Sequence, residues 1–152
     1  MTITFKPVDA PSEDIISGVL DIEQEAFGDG ALSEYVIVPL MHHGKVYIAT
    51  DEEGDTVASA YFMRDMADIG LGYLMSVAVL PELRGHDVGT ALLSFAFSHL
   101  KRFGITRVQL TVDPANFAAL AAYREKLGFT VVESQQDEDS SGEERLVMEK
   151  TL

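Results

Sequence analysis

The stretch Val77-Ala78-Val79-Leu80-Pro81-Glu82-Leu83-Arg84-Gly85-His86-Asp87-Val88-Gly89 decides how the rest of the chain is read. An apolar, alternating strand meets a proline, then an arginine and two glycines, then the first residues of an amphipathic helix opening at Val88. A strand that turns directly into a helix leaves the helix's first backbone N–H groups unpaired, at the positive end of its dipole. Such a place can hold phosphate. The donors would be Arg84, Gly85 and the N–H groups of His86, Asp87, Val88, Gly89 and Thr90, with the glycines letting the backbone come close and the Thr90 hydroxyl adding a contact. The same glycines would equally serve a tight turn with no ligand, so the flanking elements must decide. Asp87 runs against a phosphate site, because a carboxylate repels it. Aspartate tolerates left-handed backbone, and the expectation is that its carboxylate turns outward, to solvent or to Arg84 or His86.

Upstream, Thr2 to Val8 alternates as a first strand, and Pro11-Ser12-Glu13-Asp14 reads as a helix start. Ile15, Ile16, Val19, Leu20, Ile22, Glu23 and Phe27 recur at helical spacing before Gly28-Asp29-Gly30. A second helix runs from near Leu32-Ser33 to Gly44, with Pro39 predicting a kink or a break. Lys45 to Thr50, Thr56 to Met63 and Leu71 to Leu80 follow as three strands in meander order. Downstream, Val88 to Phe103 is the clearest helix, with Val88, Leu92, Ala96, Leu100 and Phe103 in one stripe. Arg107 to Val112 reads as a strand and Pro114 to Lys126 as a helix. Thr130 to Gln135 and Arg145 to Lys150 read as strands flanking a mobile polar loop, Gln136 to Glu144. The order β-α-α-β-β-β-α-β-α-β-β implies an α/β layer fold with a mixed sheet, in one domain over residues 1–152.

Composition narrows the function. The 152 residues include 25 acidic and 11 basic ones, a formal charge of −14, which disfavours nucleic acid as a partner. The same field would draw a cationic substrate. There is no cysteine, which excludes disulfides, thiolate zinc sites and acyl transfer through a protein thiol. His42, His43, His86 and His99 show no metal-ligand spacing, so no metal site is expected. No run approaches the roughly 20 apolar residues that span a bilayer, so no membrane partner is expected. The first residues lack the character of a signal peptide, which makes a cytoplasmic location the expectation.

The strand ending in Val-x-Val-x-Pro, followed by Arg84, Gly85, Gly89 and a Leu-Leu-bearing helix, resembles the acyl-CoA loop of the GCN5-related N-acetyltransferase (GNAT) family. Asp87 stands where that family carries its first glycine. The stretch from Asn116 to Phe129 resembles the family's Asn-x-x-Ala-x-x-x-Tyr helix ending in Leu-Gly-Phe, with Asn116, Ala119 and Tyr123 at matching intervals. The resemblance implies a mixed, mostly antiparallel sheet with helices on both faces, and acetyl-CoA as co-substrate. It implies that the backbone of Val77, Ala78 and Val79 pairs with the pantetheine amides, that Val79 N–H polarises the thioester carbonyl, and that Asn116 contacts the cofactor arm. Tyr123 would be the general acid, a role its ordinary pKa near 10 suits. The family places Gly-Phe one residue closer to the tyrosine, so anchoring on Gly128-Phe129 instead would put Arg124 in the catalytic register. One residue is about 100° of helical rotation.

No carboxylate lies within Leu71 to Leu80, where some members of the family carry a base. Glu23, Glu25, Glu34, Asp65, Asp68 and the His42-His43 pair are candidates by position, each also readable as solvated surface. The expected activity is direct transfer of an acetyl group to a primary amine, on a small molecule or a protein N-terminus. The alternative is a non-catalytic acyl-CoA-sensing or partner-binding domain of the same fold. The last strands offer an edge that would allow a homodimer.

Overall fold

The computed structural model describes residues 2–136 and 143–152. Strand β1 (Thr4–Pro7) precedes helices α1 (Glu13–Phe27) and α2 (Glu34–His43). The meander β2 (Lys45–Thr50), β3 (Thr56–Arg64) and β4 (Leu71–Val79) leads into α3 (Val88–Leu100), β5 (Arg107–Val112) and α4 (Phe117–Ala121). A π-helical turn, Ala122–Lys126, continues α4, and β6 (Thr130–Gln136) and β7 (Glu144–Thr151) close the chain. One seven-stranded sheet in the order β1-β2-β3-β4-β5-β7-β6 holds these strands, antiparallel throughout except between β4 and β5.

Each face of the sheet carries its own core. Val88, Leu92, Leu93, Ala96, Phe97 and Leu100 of α3 are buried against Tyr47, Phe62, Leu74, Val108 and Leu110 of the strands. On the other face α1 and α2 bury Val19, Ile37 and Met41 against Val46, Ile48 and Tyr61. Removing a side chain of this size from water contributes about 1.5–3 kcal/mol. Caps match the sequence reading: Ser12 Oγ accepts from Ile15 N at 3.3 Å, with Glu13 and Asp14 in the first turn of α1.

Several features differ from expectation, among them α4, which begins at Phe117 rather than at Pro114. The first strand shortens to Thr4–Pro7, and α3 gives way at Leu100 to a 3-10 turn, Lys101–Phe103, ended by Gly104 at φ 81°. Helix α2 is not broken at Pro39. Proline removes one hydrogen bond, to the Tyr35 carbonyl in the solvent-facing first turn, and Tyr35 is exposed. Residues 137–142, most of the connection read as a mobile loop, lie outside the described residues. No described helix is long and apolar enough to cross a membrane.

Candidate active site

The parallel pairing of β4 with β5 lasts only from Leu71 to Tyr73, opposite Arg107 to Gln109. Beyond that, β4 stays with β3 as far as Val79, while β5 follows β7 as far as Val112. The two strands therefore part, opening a cleft from Leu74 onward. Their divergence starts where β4 carries an extra residue: Phe62 pairs with Leu74 and Tyr61 with Ser76, leaving Met75 as a bulge. The Tyr73 hydroxyl and Thr111 Oγ1, 3.0 Å apart, bridge the closed end of the cleft.

Ladder parity shows which backbone groups face this opening. Leu80 N donates to Val57 O at 3.0 Å, so in the same register Ala78 and Ser76 also exchange bonds with β3. Val77 and Val79 then direct their N–H and C=O groups away from β3, into the cleft. This departs from the sequence reading for Ala78, whose polar groups turn toward Ser59 and which is buried.

Beyond β4 the chain makes a 3-10 turn, Pro81–Leu83, and reaches α3. His86 N donates to Leu83 O at 3.2 Å, so His86 is not a free backbone donor as the sequence suggested. The N–H groups of Gly85, Asp87, Val88, Gly89 and Thr90 have no acceptor among the described residues; the first helical bond is Ala91 N to Asp87 O at 3.0 Å. The Thr90 hydroxyl donates to the same oxygen at 3.1 Å. Gly85 is at φ 82°, a conformation that favours glycine. Gly89 serves close packing instead, since a Cβ there would lie 3.2 Å from Val79 Cγ2. The start of α3 is thereby held against the end of β4, with Arg84 and His86 exposed beside it.

Asp87 is the sole non-glycine residue with positive φ among those described, at φ 60° and ψ 18°. Its carboxylate is exposed, but its partner is neither Arg84 nor His86. It forms an ion pair with Lys126 on the π turn, linking the start of α3 to the far wall of the cleft.

On that far wall Asn116 caps α4, its Oδ1 accepting from Ala119 N at 3.2 Å. This leaves the Nδ2 group free for a ligand. The π turn resolves the register conflict near Tyr123: it inserts one residue between Ala119 and Gly128, and Phe129 N closes on Tyr123 O at 2.9 Å. Tyr123 packs against the α3-side core, its ring 5.7 Å from that of Phe129, whereas Arg124 is exposed. Burial pushes the Tyr123 phenol above its ordinary pKa, and its hydroxyl meets no other described residue. It is protonated at neutral pH and available to give a proton.

Of the candidate bases, Glu25, Glu34 and Asp68 are exposed and Asp68 is paired with Arg107. Asp65 Oδ1 accepts from Ala67 N and Asp68 N in the turn before β4, and His42 and His43 end α2 at the surface. Glu23 overturns its reading as solvated surface. It is 1% exposed, with Oε1 accepting from Leu32 N and Oε2 from Ser76 Oγ, both at 2.8 Å. Its position four residues after Val19, on the buried stripe of α1, was the available signal. Ser76 and Lys126 had no such signal. An open cavity of about 730 Å³ lies beside the bulge, lined by Met75, Val36, Pro39, Leu40, Met63 and Met66, with His43, Lys45 and Arg64 as its basic members.

A family model described as the acetyltransferase (GNAT) family matches residues 16–129, spanning α1, the cleft and the Tyr123 helix. The chain belongs to this family. The chain is structurally similar to the ribosomal-protein-S18-alanine N-acetyltransferase of Escherichia coli, with a TM-score of 0.81 at 23% identity over 99% of this chain and 94% of that one. It is likewise similar to the NatC complex bound to Gag peptide and CoA, with a TM-score of 0.85 at 22% identity over 100% of this chain and 99% of that chain. These likenesses establish the GNAT fold. In sequence, the chain is 45% identical to mycothiol acetyltransferase of Thermobispora bispora over 64 residues, 42% of this chain. It is 34% identical to that of Streptomyces griseus over 89 residues, 59% of this chain. The matches span 21% and 28% of those relatives' own lengths, so the chain corresponds to only part of each.

Proposed function

We propose that this GNAT protein is an acetyl-CoA-dependent N-acetyltransferase that moves the acetyl group directly to a primary amine in a ternary complex. The observation that carries the reading is the parting of β4 from β5 beside the start of α3, where unpaired N–H groups and the outward-turned backbone of Val77 and Val79 adjoin one cleft. Tyr123, which follows α4 beyond β5, would bring its hydroxyl to the same cleft.

The residues suit the ligand. The N–H groups of Gly85 and of Asp87 to Thr90, with Arg84 and His86 beside them, would receive the pyrophosphate at the positive end of α3. Val77 and Val79 would pair with the amides of the pantetheine arm, leaving Ala78 a packing role, and Asn116 Nδ2 would meet the arm from the far wall. Val79 N–H would polarise the thioester carbonyl as negative charge develops on its oxygen. Tyr123, neutral at its ordinary pKa and raised further by burial, would protonate the departing sulfur. An absence of cysteine fits direct transfer without a thiol-bound intermediate.

The acceptor would approach from the α1 and α2 face, past the bulge. The cavity beside Met75 is apolar with basic residues at its margin, which favours an amine carried on an apolar body over a polycation, despite the chain's net charge of −14. One relative in sequence is named for a small molecule, mycothiol acetyltransferase, and a structural neighbour is named for a protein alanine, so neither kind of acceptor raised by the sequence is set aside.

The test is CoA release, read with a thiol reagent across a panel of amines, to which a chain without cysteine adds no background. Turnover with amines bearing an apolar group supports the proposal. Acetyl-CoA binding with no turnover on any amine would favour the acyl-CoA-sensing alternative, and no binding would refute both.

A further inference from the structure

The bulge at Met75 does more than open the cleft. It puts two successive side chains of β4 on one face of the sheet. Leu74 and Val77 pack into the α3-side core, whereas Met75 packs into the cluster under α1 and α2, and Ser76 stands opposite Tyr61 of that cluster. Ser76 is half-buried at the lip of the cleft, one residue before the cleft-facing backbone of Val77. Its hydroxyl donates to Glu23 Oε2 at 2.8 Å.

Glu23 is unusual as a structural residue. It is 1% exposed, and no Lys, Arg or His pairs with it among the described residues. A buried carboxylate without a counter-ion is expensive to keep. The groups that face it are Ser76 from β4, the Leu32 N–H from the segment after α1, and Tyr61 from β3. Tyr61 is the titratable one. Burial above all holds its phenol above the usual range, with the Glu23 charge adding a smaller push. The Tyr61 hydroxyl and Ser59 Oγ are themselves buried without a hydrogen-bond partner, although buried hydroxyls are ordinarily satisfied. A serine at the lip, a carboxylate behind it and two hydroxyls alongside place a cluster of polar groups inside an otherwise apolar layer.

We propose that Ser76 and Glu23 form the proton-accepting arm of the site. The inference rests on the acetyltransferase reading above and supplies the base that β4 itself lacks. As the neutral amine forms its C–N bond to the thioester carbonyl, its N–H proton passes to Ser76 Oγ while the Ser76 proton passes to Glu23 Oε2. The C–S bond breaks with its electron pair on sulfur, which takes the Tyr123 proton. Glu23 then loses its proton to water and the Tyr123 phenolate regains one, so no net proton is gained or lost. Ser76 touches the acceptor; Glu23 acts through it.

The experiment compares Glu23→Gln, Ser76→Ala and Ser76→Thr with the unaltered chain, on an amine that the latter acetylates. Turnover is read by CoA release and acetyl-CoA affinity by calorimetry. Glu23→Gln and Ser76→Ala are expected to lower kcat by about 100-fold, within the range for loss of general base catalysis. Acetyl-CoA affinity should stay unchanged, and Ser76→Thr, which keeps the hydroxyl, should retain most of the turnover. A purely structural role would instead lower the melting temperature and raise KM without this rescue. Near-normal kcat in Ser76→Ala overturns the proposal even if Glu23→Gln fails to fold. Absence of turnover in the unaltered chain would refute the acetyltransferase reading itself, and the proton arm with it.

Discussion

Replacing Asp87 with glycine tests the electrostatics of the cleft, because this side chain stands at the start of α3 with its charge facing Lys126 across the opening. Two structural effects nearly cancel. Relief of left-handed strain at φ 60° contributes about 1 kcal/mol, and the added flexibility of the unfolded chain removes about 0.4–1 kcal/mol. The lost ion pair is exposed, with side-chain exposures of 54% for Lys126 and 65% for Asp87, and is worth about 0–1 kcal/mol. Stability should therefore change by no more than about 1 kcal/mol. Binding is different, since the substitution removes a negative charge and frees a cation beside the same anion. For a doubly charged pyrophosphate at an assumed distance of about 8 Å, removing one charge is worth about 1 kcal/mol in water, before screening by salt roughly halves it. Freeing Lys126 adds to this. Calorimetry should show CoA binding about 3- to 10-fold tighter at low ionic strength, with the difference shrinking toward physiological salt. Equal or weaker binding by Asp87→Gly at low salt would refute the placement of the pyrophosphate at this helix start.

Other outcomes follow from the same geometry. Gly85→Ala should destabilise the fold by about 1 kcal/mol in a urea titration, purely from backbone strain at φ 82°, because a Cβ there meets nothing within 4 Å. Lys126→Ala should weaken CoA binding, and combined with Asp87→Gly it should show non-additive effects, as directly interacting residues do. Stability should hold up to about pH 10 and then fall, because Tyr47, Tyr61 and Tyr123 are all raised chiefly by burial. Below the unfolded pKa their protonated forms contribute fully; above it the unfolded chain ionises first, at about 1.4 kcal/mol per pH unit per tyrosine. Denaturant midpoints from pH 9 to 11 would read this, and Tyr61→Phe should flatten the slope.

The sequence carried the element order and the strand-to-helix loop because both rest on local signals: periodicity, glycine placement and a proline at the strand's end. It also carried the register conflict at Tyr123, in the extra residue before Gly128, but not its resolution. A π turn is a response of the helix to the packing of both Tyr123 and Phe129, and no local pattern announces it. The partner of Asp87 was hidden for a similar reason, since Lys126 is 39 residues away in sequence and meets it only when the cleft forms. His86 looked like a donor because its amide precedes a helix; the 3-10 turn consumes it. Glu23 was misread by weighing its charge over its place on the apolar stripe of α1, and Ser76 could not be singled out before the bulge set its direction.

Turnover by Tyr123→Phe bears on the central claim most directly. The substitution keeps the ring that packs on Phe129 and removes a hydroxyl with no partner among the described residues, so the fold should be untouched. With an amine that the unaltered chain acetylates, kcat should fall by about 100-fold or more while acetyl-CoA affinity stays within about twofold. Unchanged kcat in a folded, acetyl-CoA-binding Tyr123→Phe protein would contradict the account.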